Sequence, residues 1–212
     1  MNPQIVPAIL EPTKEKFDQR YHAVAPHVQK VQLDVLDGTF QPNIDFHDPE
    51  YIDKLNPSVK FEIHFMINNV LDILDQWNYD WVEKIIFHLE AEGDTRKTID
   101  AVKNSGKRVS LAINPETVVN KLQTYLGDLD SVQVMTIHPG AMGTPFVPET
   151  IEKIKAIRQL DQNIPIEVDG AMSPQTIKLA VDAGANLIVS GSFIKNNAVE
   201  ESIEQLKKAM VR

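Results

Sequence analysis

The sequence contains no cysteine in 212 residues, which excludes disulfide bonds and thiolate metal sites. Long apolar runs are missing too: no stretch approaches the roughly 20 residues that a membrane-spanning helix needs. The first residues, MNPQIVPAIL, lack the basic segment, long apolar stretch and cleavage site of a secretory signal. We therefore expect a cytoplasmic protein that does not enter a membrane.

Basic residues are outnumbered. Lys and Arg total 21 against 30 Asp and Glu, for a formal net charge of −9. Binding along the phosphate backbone of a nucleic acid needs clustered cations, so nucleic acid is not an expected partner. A small phosphate ligand remains compatible with this charge, because backbone N–H groups at helix N-termini can hold it. Hydrophobic residues make up 42% and charged residues 24%, as in an ordinary globular domain.

The dominant pattern is the alternation of short apolar runs with amphipathic stretches. The runs predict eight strands: Ile5–Leu10, Val28–Asp34, Val59–Met66, Lys84–His88, Arg108–Ile113, Ser131–Ile137, Pro165–Val168 and Leu187–Ser190. The amphipathic stretches predict eight helices: Thr13–Val24, Pro49–Leu55, Val70–Trp77, Thr95–Ser105, Thr117–Leu126, Pro148–Leu160, Pro174–Ala183 and Val199–Met210. Asp94 and Ser173 are typical helix N-caps, whereas Gly106 and Gly184 stand where helices end.

Eight βα units in a chain of this length favour one architecture. The predicted strands are almost continuously apolar, as in a parallel sheet covered by helices on the outside. We expect a single (β/α)₈ barrel, an α/β fold, over residues 1–212, with no linker or low-complexity tract. A doubly wound open sheet has the same periodicity and stays open at this point.

Polar residues stand near the carboxyl ends of the predicted strands, the end that carries the active site in a barrel. They belong to the segments Leu33–Gly38, Glu62–Met66, His88–Glu90, Met135–Gly140, Glu167–Gly170 and Ser190–Ser192. We expect acidic and imidazole groups from opposite walls to converge on one mouth. Two carboxylates facing each other can act as an acid/base pair, and a His with a divalent cation can stabilise an oxyanion.

Each of these residues also has a plainer interpretation. Asp34 and Asp169 could cap loop N–H groups, and His64 could be a half-buried imidazole bonded to a carbonyl. His88 taken alone is more typical of a structural residue, and Met66 and Met135 of core filler.

Glycine-containing turns follow the late strands. Gly140, Ala141, Met142 and Gly143 come after the sixth strand, Gly170 and Ala171 after the seventh, and Gly191 and Ser192 after the eighth. Phosphate sites in such barrels are commonly built from the loops after strands seven and eight. The joint placement favours a phosphate site there.

An ordered set of motifs covers nearly the whole chain and resembles the ribulose-phosphate 3-epimerase family. The matching segments are Pro7–Leu10, Leu33–Gly38, Phe40–Asn43, Ile63–Ile67, His88–Ala91, Ala112–Thr117, Val134–Thr136, Phe146–Pro148, Ile166–Gly170, Ala183–Ala185 and Gly191–Ser192.

The resemblance implies a barrel of the ribulose-phosphate-binding type that interconverts D-ribulose 5-phosphate and D-xylulose 5-phosphate by metal-assisted proton transfer. Asp34 and Asp169 match the acid/base pair, and both also contact the metal, for which His64 matches a ligand. Met66 and Met135 match methionines beside the enediolate intermediate. The residues that match the phosphate and sugar contacts are Gly140, Ala141, Met142, Gly143, Gly170, Ala171, Gly191 and Ser192. The resemblance further implies zinc, iron, manganese or cobalt as cofactor and assembly into a homo-oligomer.

The chain departs from the family pattern at several of these positions. Gln32 stands where the family has a fourth metal ligand, a His, and an amide oxygen suits harder cations than zinc. Ala8 replaces a substrate-contacting Ser, and Leu36 a third methionine. The glycine turns differ as well, at Ala141–Met142 and Ala171.

Three alternatives therefore stay open beside the pentulose-phosphate epimerase. The chain could bind a sugar phosphate without efficient catalysis, or epimerise a hexulose 6-phosphate. It could also be a hexulose-phosphate synthase or decarboxylase of the same barrel superfamily. Those enzymes share an Asp-x-Lys-x-x-Asp motif, and here Asp34 takes the place of the lysine.

Overall fold

The computed structural model describes residues 3–139, 143–195 and 198–210. Eight parallel strands pair in chain order and close on themselves, with β1 bonded to β8. This confirms the predicted barrel and removes the open-sheet alternative. The strands are β1 Gln4–Ile9, β2 Lys30–Leu36, β3 Lys60–Met66, β4 Val82–His88, β5 Arg108–Ile113, β6 Ser131–Met135, β7 Ile166–Asp169 and β8 Leu187–Ser190.

Helices cover the outside of the barrel. They are α1 Lys14–Val24, α2 Pro49–Lys54, α3 Thr95–Asn104, α4 Thr150–Leu160, α5 Pro174–Ala183, α6 Ser192–Lys195 and α7 Val199–Met210. The main apolar core lies between strands and helices, and side chains such as Phe17, Ile99 and Ile154 are fully buried there. Each such burial contributes roughly 1.5–3 kcal/mol. Within the described ranges, no helix has both the length and the apolar character to cross a bilayer.

The predicted helix signals act through backbone hydrogen bonds. The Asp94 carboxylate caps α3 by accepting the N–H of Lys97. Ser173 and Thr176 form a reciprocal capping box at the start of α5. Gly184 ends that helix in the left-handed conformation, at φ +116°. These signals hold α5 directly after the loop that follows β7.

Two of the predicted helices are wrong. Val70–Trp77 forms two short 3₁₀ turns, Val70–Asp72 and Leu74–Trp77. Residues Thr117–Leu126 likewise contain only the 3₁₀ turns Val119–Leu122 and Leu126–Asp128 within and just beyond their span. Short segments gain little from α-helix propagation, and 3₁₀ turns still bury their apolar side chains against the barrel.

Boundaries differ most where the site is built. β2 begins two residues later than predicted and continues to Leu36, and β7 includes Asp169. α6, which follows β8 directly, was not predicted. The first carboxylate, Asp34, thus lies inside a strand and not at its end, which fixes its direction by the strand's hydrogen bonds.

Candidate active site

Strand register brings three predicted site residues together. In the sheet Asp34 of β2 pairs with His64 of β3, and on the far wall Met135 of β6 pairs with Asp169 of β7. Asp34, His64 and Asp169 are buried, and each offers a ligand atom within 4.8 Å of the others. The barrel thus gathers an Asp–His–Asp cluster from residues far apart in the sequence.

A network of short polar contacts joins the cluster. His64 Nδ1 lies 3.1 Å from Asp34 Oδ1 and 3.3 Å from Asp169 Oδ2. Gln32, one inward-facing position below Asp34 on β2, donates from Nε2 to each carboxylate at 2.7 Å. From β6, Gln133 donates to Asp169 Oδ2 at 3.2 Å. Sequence reasoning did not single out Gln133; the one signal was an amide in an apolar strand, two residues before Met135.

Burial and the facing charges shift the protonation equilibria in this network. Burial raises the pKa of Asp34 to about 6, although its hydrogen bond to His64 opposes the shift. For His64, burial alone would lower the pKa, but the hydrogen bonds and charges of Asp169 and Asp34 raise it to about 9. Without a cation, the imidazole is therefore protonated and partly neutralises the two carboxylates.

A second hydrogen-bonded chain lies behind His64. Its Nε2 is 3.0 Å from Nε2 of His88, whose Nδ1 is 3.3 Å from Glu90 Oε2. Glu90 is fixed in turn by the N–H of Asn114 at 2.9 Å and by the hydroxyl of Thr117. With Glu90 accepting from His88, the His88 Nε2 lone pair accepts the His64 Nε2 proton. His64 Nδ1 then faces the two aspartates, so His88 belongs to the support of the site.

A cavity opens above the cluster and holds about 500 Å³ of space free of protein atoms. The predicted residues that line it, besides the two aspartates, are Met66, Met135, Gly143, Gly170, Ala171, Gly191 and Ser192. Ala8 also lines it. Gly140, Ala141 and Met142 lie outside the described residues.

The turn after β7 has an unusual backbone. Gly170 has φ +121°, and a Cβ there would lie 2.5 Å from Cγ1 of Ile137. Ala171 has φ +51°, a left-handed conformation that costs a residue with a Cβ about 1–2 kcal/mol. Non-glycine residues in this conformation concentrate at functional sites.

Two predicted carboxylates do not reach the mouth. Glu62 and Glu167 precede His64 and Asp169 by two residues, so they point into the barrel one layer deeper. There Lys84 Nζ lies 3.1 Å from Glu62 Oε1 and 2.5 Å from Glu167 Oε2. Lys30 completes the group at 2.5 Å from Glu62. The expectation that all these acids converge on the mouth is wrong for this pair, because a buried lysine holds them below it.

The donor set of the cluster fits a divalent cation. Two carboxylate oxygens and one imidazole nitrogen are ligands that zinc, iron, manganese and cobalt accept. The His88–Glu90 chain supplies the outer hydrogen bond that a ligating imidazole usually makes. Wider grooves lie elsewhere, for example around Ser58, Lys60 and Tyr79, but this cluster lies at the carboxyl end of the barrel.

Comparison with known proteins gives this geometry a family. A sequence model of the ribulose-phosphate 3 epimerase family matches residues 4–195. Ribulose-phosphate 3-epimerase of Chlamydia pneumoniae is 34% identical over 172 residues, covering 77% of this chain and 75% of the relative. That of Treponema pallidum is 31% identical over 194 residues, covering 89% of each.

Solved structures share the fold at low sequence identity. KGPDC from Streptococcus mutans, solved in complex with a sugar phosphate, superposes with a TM-score of 0.74 at 11% identity. The superposition covers 98% of this chain and 97% of that protein. This likeness concerns the barrel alone, whereas the sequence match runs through almost the whole chain, including Asp34, His64 and Asp169. The chain belongs to the ribulose-phosphate 3-epimerase family.

Proposed function

We propose that this epimerase interconverts D-ribulose 5-phosphate and D-xylulose 5-phosphate by moving a proton at C3 between two aspartates. One observation carries the proposal. Asp34 and Asp169 come from different walls of one barrel, line one cavity, and approach a shared imidazole. Inverting a carbon needs an acid and a base on opposite faces of it, which this arrangement provides.

In one direction, one carboxylate removes the C3 proton, and the electron pair of the C–H bond moves toward the C2 carbonyl, forming an enediolate. The other carboxylic acid then delivers a proton to C3 from the opposite face. One proton leaves and one arrives, so no oxidant or reductant is needed. The pKa of Asp34, raised by burial to about 6, lets this side chain hold or release a proton near neutral pH.

Asp34, His64 and Asp169 would hold a divalent cation, which when bound supplies positive charge for the oxygen atoms of the enediolate. The oxygen-rich donor set favours manganese, iron or cobalt over zinc. Met66 and Met135 line the same cavity and keep water from the reacting carbons. Their side chains carry no proton that could compete with the acid.

The phosphate would lie toward the late βα turns. Gly143, Gly170, Ala171, Gly191 and Ser192 line that side of the cavity, and backbone N–H groups of such turns bind phosphate oxygens without a cationic side chain. KGPDC, which shares the barrel, was solved with a sugar phosphate bound. A sugar phosphate is therefore the ligand class that this cavity fits.

A coupled assay tests the proposal. Purified protein is supplied with D-ribulose 5-phosphate and, in parallel, a hexulose 6-phosphate, each with Mn²⁺, Fe²⁺, Co²⁺ or Zn²⁺. We expect turnover of the pentulose phosphate with at least one cation. Asp34→Asn and Asp169→Asn should each lower kcat about 10²–10⁴-fold, as removal of a general acid or base does.

Asp37→Asn is the matched control. Asp37 is exposed, lies three residues beyond Asp34, and accepts from Thr39, so its substitution should leave kcat within twofold. No turnover with any cation would contradict the proposal, and turnover of the hexulose phosphate alone would reassign the substrate. Full activity of Asp34→Asn would contradict the mechanism.

A further inference from the structure

The Gln32 side chain ends at the centre of the Asp–His–Asp cluster. Its Nε2 lies 2.7 Å from Asp34 Oδ1, 2.7 Å from Asp169 Oδ2 and 3.4 Å from His64 Nδ1. The cluster's ligand atoms lie within 4.8 Å of one another, so the amide nitrogen stands among all three. That position is the one a cation shared by these residues would take.

The amide group is well suited to hold that position. A primary amide carries two N–H donors, and here each is directed to a different carboxylate. Hydrogen bonds to ionised acceptors are stronger than neutral ones, and Gln32 is fully buried, so little water competes for them. Gln32 Oε1 has no hydrogen-bond partner among the described residues, so the carboxylates alone orient the amide.

We propose that the Gln32 amide is a built-in competitor for the divalent cation, bridging Asp34 and Asp169 when no cation is bound. Carboxylate oxygens and imidazole nitrogens bind such cations at roughly 2.0–2.2 Å, so a cation and the amide nitrogen cannot share the centre. Metal binding must therefore break both amide hydrogen bonds. Turning the amide to offer Oε1 as a ligand breaks the same two bonds.

The competitor and ligand roles of Gln32 predict opposite signs for one substitution. If Gln32 acts as a competitor, Gln32→Ala vacates the centre and strengthens metal binding. If Gln32 acted as a ligand, the same change would remove a donor and weaken it. This inference rests on the proposed function only in assigning a divalent cation to the cluster, and its readout is binding, not turnover.

Gln133→Ala is the matched control. Gln133 is an equally buried glutamine whose Oε1 also lacks a described partner. Its Nε2 donates to Asp169 at 3.2 Å, and within the described hydrogen bonds it reaches this carboxylate but not Asp34. The control removes the same number of atoms from the same interior without vacating the centre of the cluster.

The experiment measures Mn²⁺ and Zn²⁺ affinity of metal-free protein by competition with a chromogenic chelator. We expect Gln32→Ala to bind each cation at least tenfold more tightly than wild type, about 1.4 kcal/mol, and Gln133→Ala to differ by less than threefold. Equal or weaker binding by Gln32→Ala, including no binding by either protein, overturns the inference. A metal-binding but inactive protein contradicts the proposed function and leaves this result standing.

Wild-type protein supplies a second readout if Gln32→Ala does not fold. The side-chain amide protons of Gln32 should exchange slowly with solvent in the metal-free protein, because both are hydrogen-bonded and buried. Zn²⁺ at saturation should shift these NMR signals and speed their exchange. Signals that stay unchanged and protected at saturation, or that no Zn²⁺ concentration affects, overturn the inference.

Discussion

The buried lysine below the site allows a quantitative prediction. Lys84 is 3% exposed and bridges Glu62 and Glu167, which are 1% and 0% exposed. Burial raises the pKa of Glu62, but the charges of Lys84 and Lys30 together lower it to about 2. Burial and the charge of Glu62 raise the pKa of Glu167 to about 8, against the pull of Lys84.

Lys84→Met removes the shared cation at nearly constant side-chain length. Glu62 keeps Lys30, while Glu167 keeps no cation. Removing one partner of a buried ion pair costs about 3–5 kcal/mol when the other stays charged, and we expect a loss of this size at pH 8.5. At pH 6 we expect a smaller loss, because Glu167 is then protonated. The sign follows from linkage: a carboxyl whose folded pKa is raised stabilises the fold at low pH and loses that contribution as pH rises through this pKa.

Urea unfolding followed by circular dichroism at both pH values measures the effect. Adding Glu167→Gln should restore at least half of the loss at pH 8.5, because no unpaired charge remains. The control is Lys178→Met, which breaks an exposed pair with Asp182 and should change the unfolding free energy by less than about 0.5 kcal/mol. A loss below about 1 kcal/mol at pH 8.5, or an equal loss at both pH values, would refute the reasoning.

Further predictions concern the walls of the site. Ala171→Gly should stabilise the protein by roughly 0.5–1 kcal/mol, since relief of the left-handed strain outweighs the added freedom of the unfolded chain; unfolding experiments measure it, and destabilisation would contradict it. Gly170→Ala should destabilise by more than about 2 kcal/mol, because its Cβ would overlap Ile137 at positive φ; a change below about 0.5 kcal/mol in the same experiment would count against this. His88→Ala should weaken metal affinity about 10–100-fold, because it removes the hydrogen bond that orients His64; chelator competition checks it, and unchanged affinity would separate His88 from the site.

Much of the architecture could be predicted because each βα unit carries its own signal. Apolar runs such as Leu187–Ser190 are strands in a sheet covered on the outside by helices, and they were placed correctly. The 3₁₀ turns at Val70–Asp72 and Leu74–Trp77 were beyond reach, because their apolar spacing is also that of an α-helix. Packing against the barrel decides between the two, and a single sequence does not contain it.

The site was predictable only in part for a related reason. Asp34, His64 and Asp169 stand near strand ends, so closing the barrel was enough to bring them together. The role of His88 depends on which ring lies beside it, and that follows from the packing of β3 against β4. Lys84 bonds to a carboxylate 83 residues away, a pairing that no local pattern shows.

The most direct test of the account follows deuterium at C3 of the substrate by NMR in D₂O. Wild-type protein should exchange this position in both pentulose phosphates. Asp34→Asn and Asp169→Asn should no longer interconvert the epimers, and each should exchange only the epimer whose C3 proton faces the remaining aspartate. A single variant that exchanges both epimers at the wild-type rate would contradict the assignment of one aspartate to each face.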